Sequence, residues 1–572
     1  MNDLNIIING KKYEGKAGET VLACAKKQGI SIPTLCNDPR LEPYSSCFVC
    51  VVEIDGMKGL QPACSTIIRE GMLIETENEK VRASRKNALD LIASNHYADC
   101  VAPCKTTCPA GVDVQGYISL IEKEMYSDAV ALIKEVNPLP AICGRVCVRP
   151  CEVACRRNLM DEEAGVGIDY LKRFAADYDL NSPDKYSPET EPSTGKKVAV
   201  IGAGPGGLSV AWFLQLKGHQ VEVFEASPKP GGMLRYGIPP YRLPNELIDQ
   251  EVACITELGA NIHYQKKLGE DLSYEQITKD FDATVLTIGS QKGTGVGCTG
   301  DDAGNVFSGI DFLRNIAMTS QKPDFSGKTV AVIGGGNTAM DCCRTAMRLG
   351  AKKTYVVYRR TEKEMPANPI EIHESKEEGI EYLFLNNPVE IHKNQEGNIE
   401  SMTLIKMRLG EPDASGRRRP VPIENSEYQL NLDYVLAAIG QKTQTEFIDN
   451  INDFTVEGEL KVNRWGDLDA DKKTLQTGIP SVFAAGDGVT GPATLIEAIA
   501  QAKIASHSCH QYLSGQSIKT VKAEFLSKKD NFKKQDPADF VDSFGKQFRK
   551  EMPLIPPTER ENFNEVELGY SE

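Results

Sequence analysis

Two hydrophobic rhythms alternate along the chain. Leu4 to Ile8 alternates up to Asn9-Gly10 and a second run follows, so LNIIINGKKYEG predicts a hairpin. Thr20 to Gly29 predicts a short helix, and Val114 to Val136 is amphipathic at helical spacing. From Val198 the pattern becomes VAVIGAGPGG: an apolar strand, a glycine turn and a helix start. Leu208 to Lys217 continues the helix and Gln220 to Phe224 is the next strand. The same succession returns in KTVAVIGGGNTAMD and the strand TYVVYRRT. VLTIGSQ (Val285 to Gln291) and VLAAIGQ (Val435 to Gln441) mirror one another as crossings between two domains, and SVFAAGDGVTGPATLIEAIAQAK supplies a last strand and helix. NSPDKYSPETEPSTGKK reads as a linker. Beyond Gly515 the chain is charged and Pro-rich, which predicts an extended tail that wraps a neighbour or lies as solvated surface. The fold class expected is multidomain α/β + α, with domains at 1–80, 81–185, 186–325, 326–435, 436–515 and a tail at 516–572. The third and fifth form one dinucleotide-binding domain interrupted by a second, both Rossmann-like.

Composition narrows the function classes. A chain of 572 residues is too long for one core. Its net charge of −15 argues against nucleic acid or anionic lipid as the main partner. No apolar run approaches the ~18 residues of a membrane span. MNDLNIIINGKKYEG lacks the basic and apolar segments of a signal peptide, so a cytoplasmic location is expected. In such a reducing compartment, seventeen cysteines favour metal ligands over disulfides. Eleven of them fall between Cys36 and Cys155.

Cys36, Cys47, Cys50 and Cys64 are spaced C-x10-C-x2-C-x13-C, four thiolates with one close pair, which suits a [2Fe–2S] cluster. Zinc and unligated core thiols are the alternatives. Cys24, on the predicted helix, reads as core. His96, Cys100, Cys104 and Cys108 follow at four-residue intervals, then Cys143, Cys147, Cys151 and Cys155 at the same interval. Eight candidate ligands are enough for two [4Fe–4S] clusters. His96 has a bland alternative as a surface or core histidine.

The two glycine turns carry different second strands. Around the first, Gly202 permits the tight turn, Gly204 and Pro205 open the helix where a pyrophosphate would approach, and Gly207 lets helix and sheet pack closely. The strand ends at Glu225, whose carboxylate would accept from ribose hydroxyls. Gly231-Gly232 adds a second close-approach loop, and Gly486-Asp487 returns to the same half before the last helix. Around the second turn stand Gly334, Gly336, Asn337, Thr338 and Ala339, a GxGxxA pattern. Its strand ends at Arg359 and Arg360 where the first half has Glu225. Guanidinium groups suit a 2′-phosphate, so the second site points to NADP(H) rather than NAD, with a solvated basic pair as the alternative. Cys342 and Cys343 diverge on the helix behind the turn and read as core. Arg417 to Arg419 reads as a solvated hairpin tip.

Several of these motifs carry resemblances. The hairpin with the first cysteine spacing resembles the β-grasp, ferredoxin-like [2Fe–2S] domain of the large iron–sulfur subunits of complex I-type dehydrogenases and iron-only hydrogenases. The CP step at Cys108-Pro109 and CGRVC resemble the helical, two-cluster domain of glutamate synthase small subunits and dihydropyrimidine dehydrogenase. GGMLRYGIPPYRLP and VVYRRTEKEMPA resemble the FAD and NADPH segments of the glutamate synthase small subunit and NADPH-dependent ferredoxin oxidoreductase (transhydrogenase large subunit) family. That resemblance covers residues 90 to 515. It implies crossed ligation: Cys100, Cys104 and Cys155 in one [4Fe–4S] cluster, Cys108, Cys147 and Cys151 in the other. The chain departs from the family in two places. The first cysteine of the leading group is absent and His96 lies near its place, in an NHYADC segment resembling the cluster-binding NH-x3-C of complex I-type subunits. The distant Gln or Glu ligand falls near Lys172, whose ammonium cannot bind iron; Cys143 is a candidate replacement.

The cofactors implied are FAD, NADP(H), one [2Fe–2S] and two [4Fe–4S] clusters. NADPH delivers electrons as a pair, flavin can release them singly, and clusters take one each. The protein then supplies positioning and potential tuning, and no protonic catalyst is nominated. The resemblances imply an oxidoreductase subunit passing electrons to other iron–sulfur or flavin subunits of a heteromeric complex, with ferredoxin a further partner. An electron-bifurcating NADP transhydrogenase, a formate dehydrogenase and a hydrogenase complex are the assemblies to weigh. A glutamate synthase small subunit and a non-enzymatic electron-transfer scaffold are the alternatives.

Overall fold

The computed structural model describes residues 3–94, 99–159, 165–319, 322–412, 416–454, 457–520, 526 and 549–571. It divides into two compact units, residues 1–101 with 525–532, and residues 102–524 with 533–572. No helix among the described residues is long and apolar enough to cross a membrane.

In the first unit the predicted hairpin is β1 (Asp3–Ile8) and β2 (Lys11–Lys16), closed by Asn9 and Gly10, both at positive φ. Helix α1 (Val21–Lys27) starts at Thr20, whose hydroxyl accepts from the Ala23 amide and satisfies one of the open N-terminal donors. It buries Val21, Cys24 and Ala25, so Cys24 is core. Strands β3 (Val51–Ile54), β4 (Gln61–Pro62) and β5 (Leu73–Glu75) complete a sheet in the order β2-β1-β5-β3-β4, with β1 and β5 parallel. Helix α2 (Glu79–Ser94) belongs to this unit, because buried Arg85 donates to the carbonyls of Val51 and Thr76 at 2.8 and 2.9 Å. The compact unit thus runs past residue 80, to residue 101.

The second unit begins with helices: α3 (Pro103–Thr106), α4 (Val114–Glu122), α5 (Tyr126–Lys134), α6 (Pro140–Val146), α7 (Pro150–Val153) and α8 (Ile168–Leu180). The amphipathic stretch from Val114 is thus two helices, broken where Glu124 takes a positive φ. The chain then enters a parallel sheet. Its members are β6 (Lys197–Ile201), α9 (Pro205–Leu216), β7 (Gln220–Glu225), α10 (Met233–Tyr236), α11 (Asn245–Thr256), β8 (Asn261–Tyr264), α12 (Tyr274–Asp280) and β9 (Ala283–Leu286).

After β10 (Lys292–Gly293) a second parallel sheet is built from β11 (Val306–Ser308), α13 (Gly309–Met318), β12 (Thr329–Ile333), α14 (Asn337–Arg348), β13 (Lys353–Tyr358), α15 (Pro369–Glu377) and β14 (Glu381–Phe384). An antiparallel sheet of β15 (Asn386–Lys393), β16 (Ile399–Pro412), β17 (Arg418–Pro422) and β18 (Tyr428–Asn431) is inserted before β19 (Tyr434–Ala437) closes the parallel one. β20 (Gln441–Lys442) pairs with β10, so the two mirrored crossings run antiparallel side by side. The chain then returns through α16 (Ile448–Asn452), β21 (Val482–Ala484), α17 (Asp487–Thr490) and α18 (Leu495–Leu513) to the first parallel sheet. The two sheets have matching orders, β21-β9-β6-β7-β8 and β11-β19-β12-β13-β14.

One continuous core joins α4, α5, α6 and α8 to α9, α18 and the first parallel sheet, with Trp212, Leu208 and Ile499 almost fully buried. Each such side chain contributes about 1.5–3 kcal/mol, so the cysteine-bearing helices are held to this sheet by shared burial. His219, in the turn after α9, meets His510 of α18: His219 Nε2 and His510 Nδ1 lie 2.9 Å apart, and Thr194 closes the other side of His219 at 2.7 Å. Burial and the facing His510 lower the His219 pKa from 6.5 to about 4, while Asp282 and Glu191 act weakly against this. The folded state thus resists protonation: the pair's stabilisation is full above pH 6.5 and is lost as pH falls toward 4. His219→Gln is expected to flatten the acid limb of a pH–stability curve; a curve parallel to wild type would contradict this.

The described end of the chain, residues 549–571, packs against its own second unit. Leu554 and Glu567 bridge antiparallel, Val566 donates to the Tyr241 carbonyl, and Arg348 of α14 donates to the Asn562 carbonyl at 3.0 Å.

Candidate functional site

Cys36, Cys47, Cys50 and Cys64 converge in the first unit. Cys47, Cys50 and Cys64 are buried and Cys36 is half-buried. The loop reaches this geometry through left-handed Ser45 and Phe48. Val49 donates to Cys47 Sγ at 3.5 Å, and Ser45 Oγ lies 3.4 Å from Cys64 Sγ. The Cys47 backbone amide holds the Cys36 thiol down at about 7, whereas burial pushes Cys50 up to about 11. Amide donors aimed at sulfur and a closed apolar floor suit a bridged diiron cluster, whose sulfurs need such donors.

In the second unit the two cysteine groups interleave. Burial raises the Cys104 and Cys151 thiols, with smaller repulsion from Cys155 on the first and from Cys108 on the second. The loop carrying Cys108 is tied to α7 by Thr107 Oγ1, 3.5 Å from the Pro150 carbonyl oxygen. Cys147 ends α6, and its sulfur accepts from the Arg149 amide at 3.4 Å, with Arg149 left-handed. Cys143, one turn earlier, is fully buried; its sulfur, that of Cys147 and an Asp169 oxygen lie within 4.8 Å of one another. Cys100 belongs to the first unit and is exposed. His96 lies outside the described residues.

These helices are seated directly on the first parallel sheet's helices. Glu251 of α11 accepts from the Ala141 and Ile142 amides at 3.3 and 3.2 Å, capping α6 from outside. Lys134 of α5 is buried with its Nζ 5.3 Å from the Trp212 ring of α9. Neither residue has a sequence signal: Glu251 and Lys134 each sit in an ordinary helical pattern.

The first glycine turn has the shape a dinucleotide requires. Gly202 takes φ +103°, and a Cβ there would lie 2.6 Å from the Thr287 carbonyl oxygen; at Gly207 it would lie 1.9 Å from the Gly202 carbonyl oxygen. Gly204 differs, since its Cβ would meet only Gly232 Cα at 3.9 Å. The space over Gly204 and Gly232 is therefore a cradle at the N-terminus of α9, with Pro205 at its first position. Gly231 anchors the facing loop by donating to the Ala203 carbonyl at 2.8 Å. Glu225 ends β7 beside the turn, each oxygen accepting one backbone amide, from Ala203 and Ser227, both at 2.7 Å. A carboxylate oxygen can accept again, so the group is oriented without being saturated. Gly486 opens α17 at φ +80°, and burial pushes the Asp487 carboxyl up to about 6. Thr287, at the end of β9, donates to the Ile201 and Gly202 carbonyls and braces the turn. It sits inside VLTIGSQ, where a strand-end threonine gives no distinctive signal.

The second turn repeats the construction. A Cβ at Gly334 would lie 2.2 Å from the Ala438 carbonyl oxygen, as Gly202 stands to Thr287. Gly336 opens α14, Ala339 is buried behind it, Thr338 is half-buried, and Asn337 Oδ1 accepts from the Asn368 amide. The two strand-end arginines separate: Arg359 is exposed, whereas Arg360 is buried and donates Nε to the Arg418 carbonyl at 2.8 Å. The Arg417–Arg419 segment is thus tied to the end of β13 rather than projecting as a free tip. Cys342 and Cys343 are buried core thiols, bonded to the Gly309 and Met340 carbonyls.

Three family models match the chain. Residues 196–502 match "Pyridine nucleotide-disulphide oxidoreductase", residues 2–79 the "2Fe-2S iron-sulfur cluster binding domain", and residues 76–183 "Dihydropyrimidine dehydrogenase domain II, 4Fe-4S cluster". The chain is 39% identical over 494 residues to the NADP(+)-dependent formate dehydrogenase subunit beta of Moorella thermoacetica, covering 82% of this chain and 68% of that one. It is 36% identical to the NADPH-Fe(3+) oxidoreductase subunit beta of Geobacter sulfurreducens, covering 82% and 73%. It is 31% identical to the glutamate synthase [NADPH] small chain of Azospirillum brasilense, covering 74% and 89%.

Proposed function

The chain belongs to the pyridine nucleotide-disulphide oxidoreductase family, and on that premise we propose that it exchanges electrons between NADP(H) and partner subunits. It is an NAD(P)H-dependent iron–sulfur flavoprotein oxidoreductase, with FAD, NADP(H), [2Fe–2S] and [4Fe–4S] clusters as its cofactors. Bound flavin supplies the conversion of electron pairs to single electrons. The chain's residues hold the groups for this: Gly204 and Gly232 leave room for a pyrophosphate, Glu225 orients a ribose, and Arg359 presents charge to a 2′-phosphate.

The observation that carries the electron path is the seating of the cysteine helices on the flavin half, with Glu251 capping α6 and Lys134 against Trp212. A route from flavin to [4Fe–4S] clusters follows from that packing. The tie between the Cys108 loop and α7, which carries Cys151, supports crossed ligation, with Cys100 and His96 assigned to the first cluster on resemblance. The [2Fe–2S] unit would extend the route to an additional partner. A formate dehydrogenase, hydrogenase or electron-bifurcating NADP transhydrogenase complex is the setting we favour, with ferredoxin among the acceptors. The glutamate synthase small chain is the second reading, favoured by the 89% coverage of that relative.

Anaerobic affinity purification of the full chain from its own cells separates these readings. Stoichiometric redox subunits are expected. An amidotransferase subunit with glutamine-dependent glutamate formation would replace the first reading by the second. For the nucleotide site, Arg359→Glu is expected to weaken NADPH relative to NADH by roughly 1–3 kcal/mol for a lost charged contact. An unchanged preference would contradict the assignment to Arg359.

A further inference from the structure

Cys143 lies on the buried side of α6, one helical turn before Cys147, so the two sulfurs share a face. Its sulfur receives a hydrogen bond from the Lys172 ammonium of α8 at 3.0 Å, and both groups are shielded from solvent. Lys172 is held by an ion pair with Asp169, one turn earlier on the same helix, and Arg149 approaches the other Asp169 oxygen at 3.4 Å.

Among the described residues, three groups beside Cys147 could complete a ligand set with Cys108, Cys147 and Cys151. An ammonium has no lone pair for iron, which excludes Lys172. Asp169 is near enough, but Lys172 and Arg149 engage its two oxygens. Cys143 has a soft donor atom on the correct face, and iron–sulfur clusters select thiolate. A buried ammonium aimed at that sulfur matches a negative ligand. A neutral core thiol would leave the lysine charge supported from one side only, and burying charge without full pairing is costly.

We infer that Cys143 is the fourth ligand of the [4Fe–4S] cluster held by Cys108, Cys147 and Cys151, and that Lys172, fixed by Asp169, is the hydrogen-bond donor to that ligand. The assignment rests on the reading that residues 102–180 hold [4Fe–4S] clusters. It makes this cluster all-cysteine. It also gives Lys172 a positioning role: a cation and a donor beside a ligand sulfur favour the reduced cluster and raise its potential.

The test uses the full chain purified anaerobically with its clusters, comparing wild type with Cys143→Ala, Cys143→Ser and Lys172→Met. Iron, sulfide and flavin are counted per chain, and EPR spectra are recorded oxidised and reduced. The wild-type iron count separately tests the cluster reading on which the assignment rests. Cys143→Ala is expected to retain flavin but either lose one cluster, about four irons, or give a new three-iron signal when oxidised. Iron and spectra equal to wild type would overturn the assignment. Cys143→Ser keeps the size and a weaker donor, and should keep the iron while changing that cluster's spectrum and lowering its potential; an unchanged spectrum and potential would overturn it equally. Lys172→Met should retain the cluster at a more negative potential, and an unmoved potential would remove Lys172 from the inference.

Discussion

Replacing Gly204 with alanine is expected to give a chain that folds normally and carries its iron but binds flavin poorly. The added methyl would meet only Gly232 Cα, at 3.9 Å, an ordinary contact. The Gly204 backbone has φ −74°, which any residue adopts. Nothing in the protein itself therefore resists alanine. The methyl fills the space over the N-terminus of α9, where amides and helix dipole face an incoming pyrophosphate. Displacing phosphate by about a methyl's width forfeits charge-assisted hydrogen bonds of about 1.5–3 kcal/mol each, so flavin affinity should fall at least about tenfold. Gly207→Ala is the contrast, because its Cβ would lie 1.9 Å from the Gly202 carbonyl oxygen and 2.7 Å from Thr287 Oγ1. That clash is internal and should lower stability as well as flavin content. Flavin-to-iron ratios and thermal scans distinguish the two; a Gly204→Ala chain with full flavin would contradict the cradle.

Reversing the charge of Glu565 is expected to loosen the chain's end from α6 and α8 of the second unit at once. Glu565 meets Arg145 of α6 at 2.6 Å and Arg173 of α8 at 2.9 Å, and both arginines are almost wholly buried. Its neighbour Glu567 meets Arg173 at 2.9 Å, and Arg560 meets Glu377 of α15 at 3.1 Å. Arg348 ties the same segment to α14. Breaking a buried pair by removing one partner costs about 3–5 kcal/mol, and Glu565→Lys adds repulsion from two guanidinium groups. Asp177 still faces Arg145 at 2.7 Å, which limits the loss at that arginine. The thermal midpoint of flavin release should fall by several degrees, with iron lost earlier than in wild type. Retention of both at the wild-type temperature would mean the segment is not a structural strap.

The two glycine turns were legible because their chemistry is local. A strand, a turn that excludes Cβ atoms and a following helix lie within a dozen residues, and Glu225 or Arg359 comes one strand later. The cysteine spacings were legible for a similar reason, since each four-residue repeat lies within about a dozen residues. What was not legible is long-range. Thr287 braces a turn 85 residues away. Glu251 caps a helix 109 residues before it. The expectation that the tail wraps a neighbour missed that Glu565 answers Arg145 across 420 residues of the same chain. Nor does any periodicity announce that Arg360 turns inward to the Arg418 carbonyl while Arg359 stays outside. The β15–β18 sheet was legible only as a hairpin tip, because its alternation is irregular and interrupted by register shifts.

The central claim is that electrons from NADPH reach the clusters through the flavin half. Anaerobic titration of the intact, cluster-loaded chain with NADPH, followed by flavin absorbance and low-temperature EPR together, tests it most directly. Flavin bleaching by NADPH, much less by NADH, accompanied by the appearance of reduced-cluster signals is the predicted result. Flavin that stays oxidised with NADPH yet bleaches with dithionite would contradict the account.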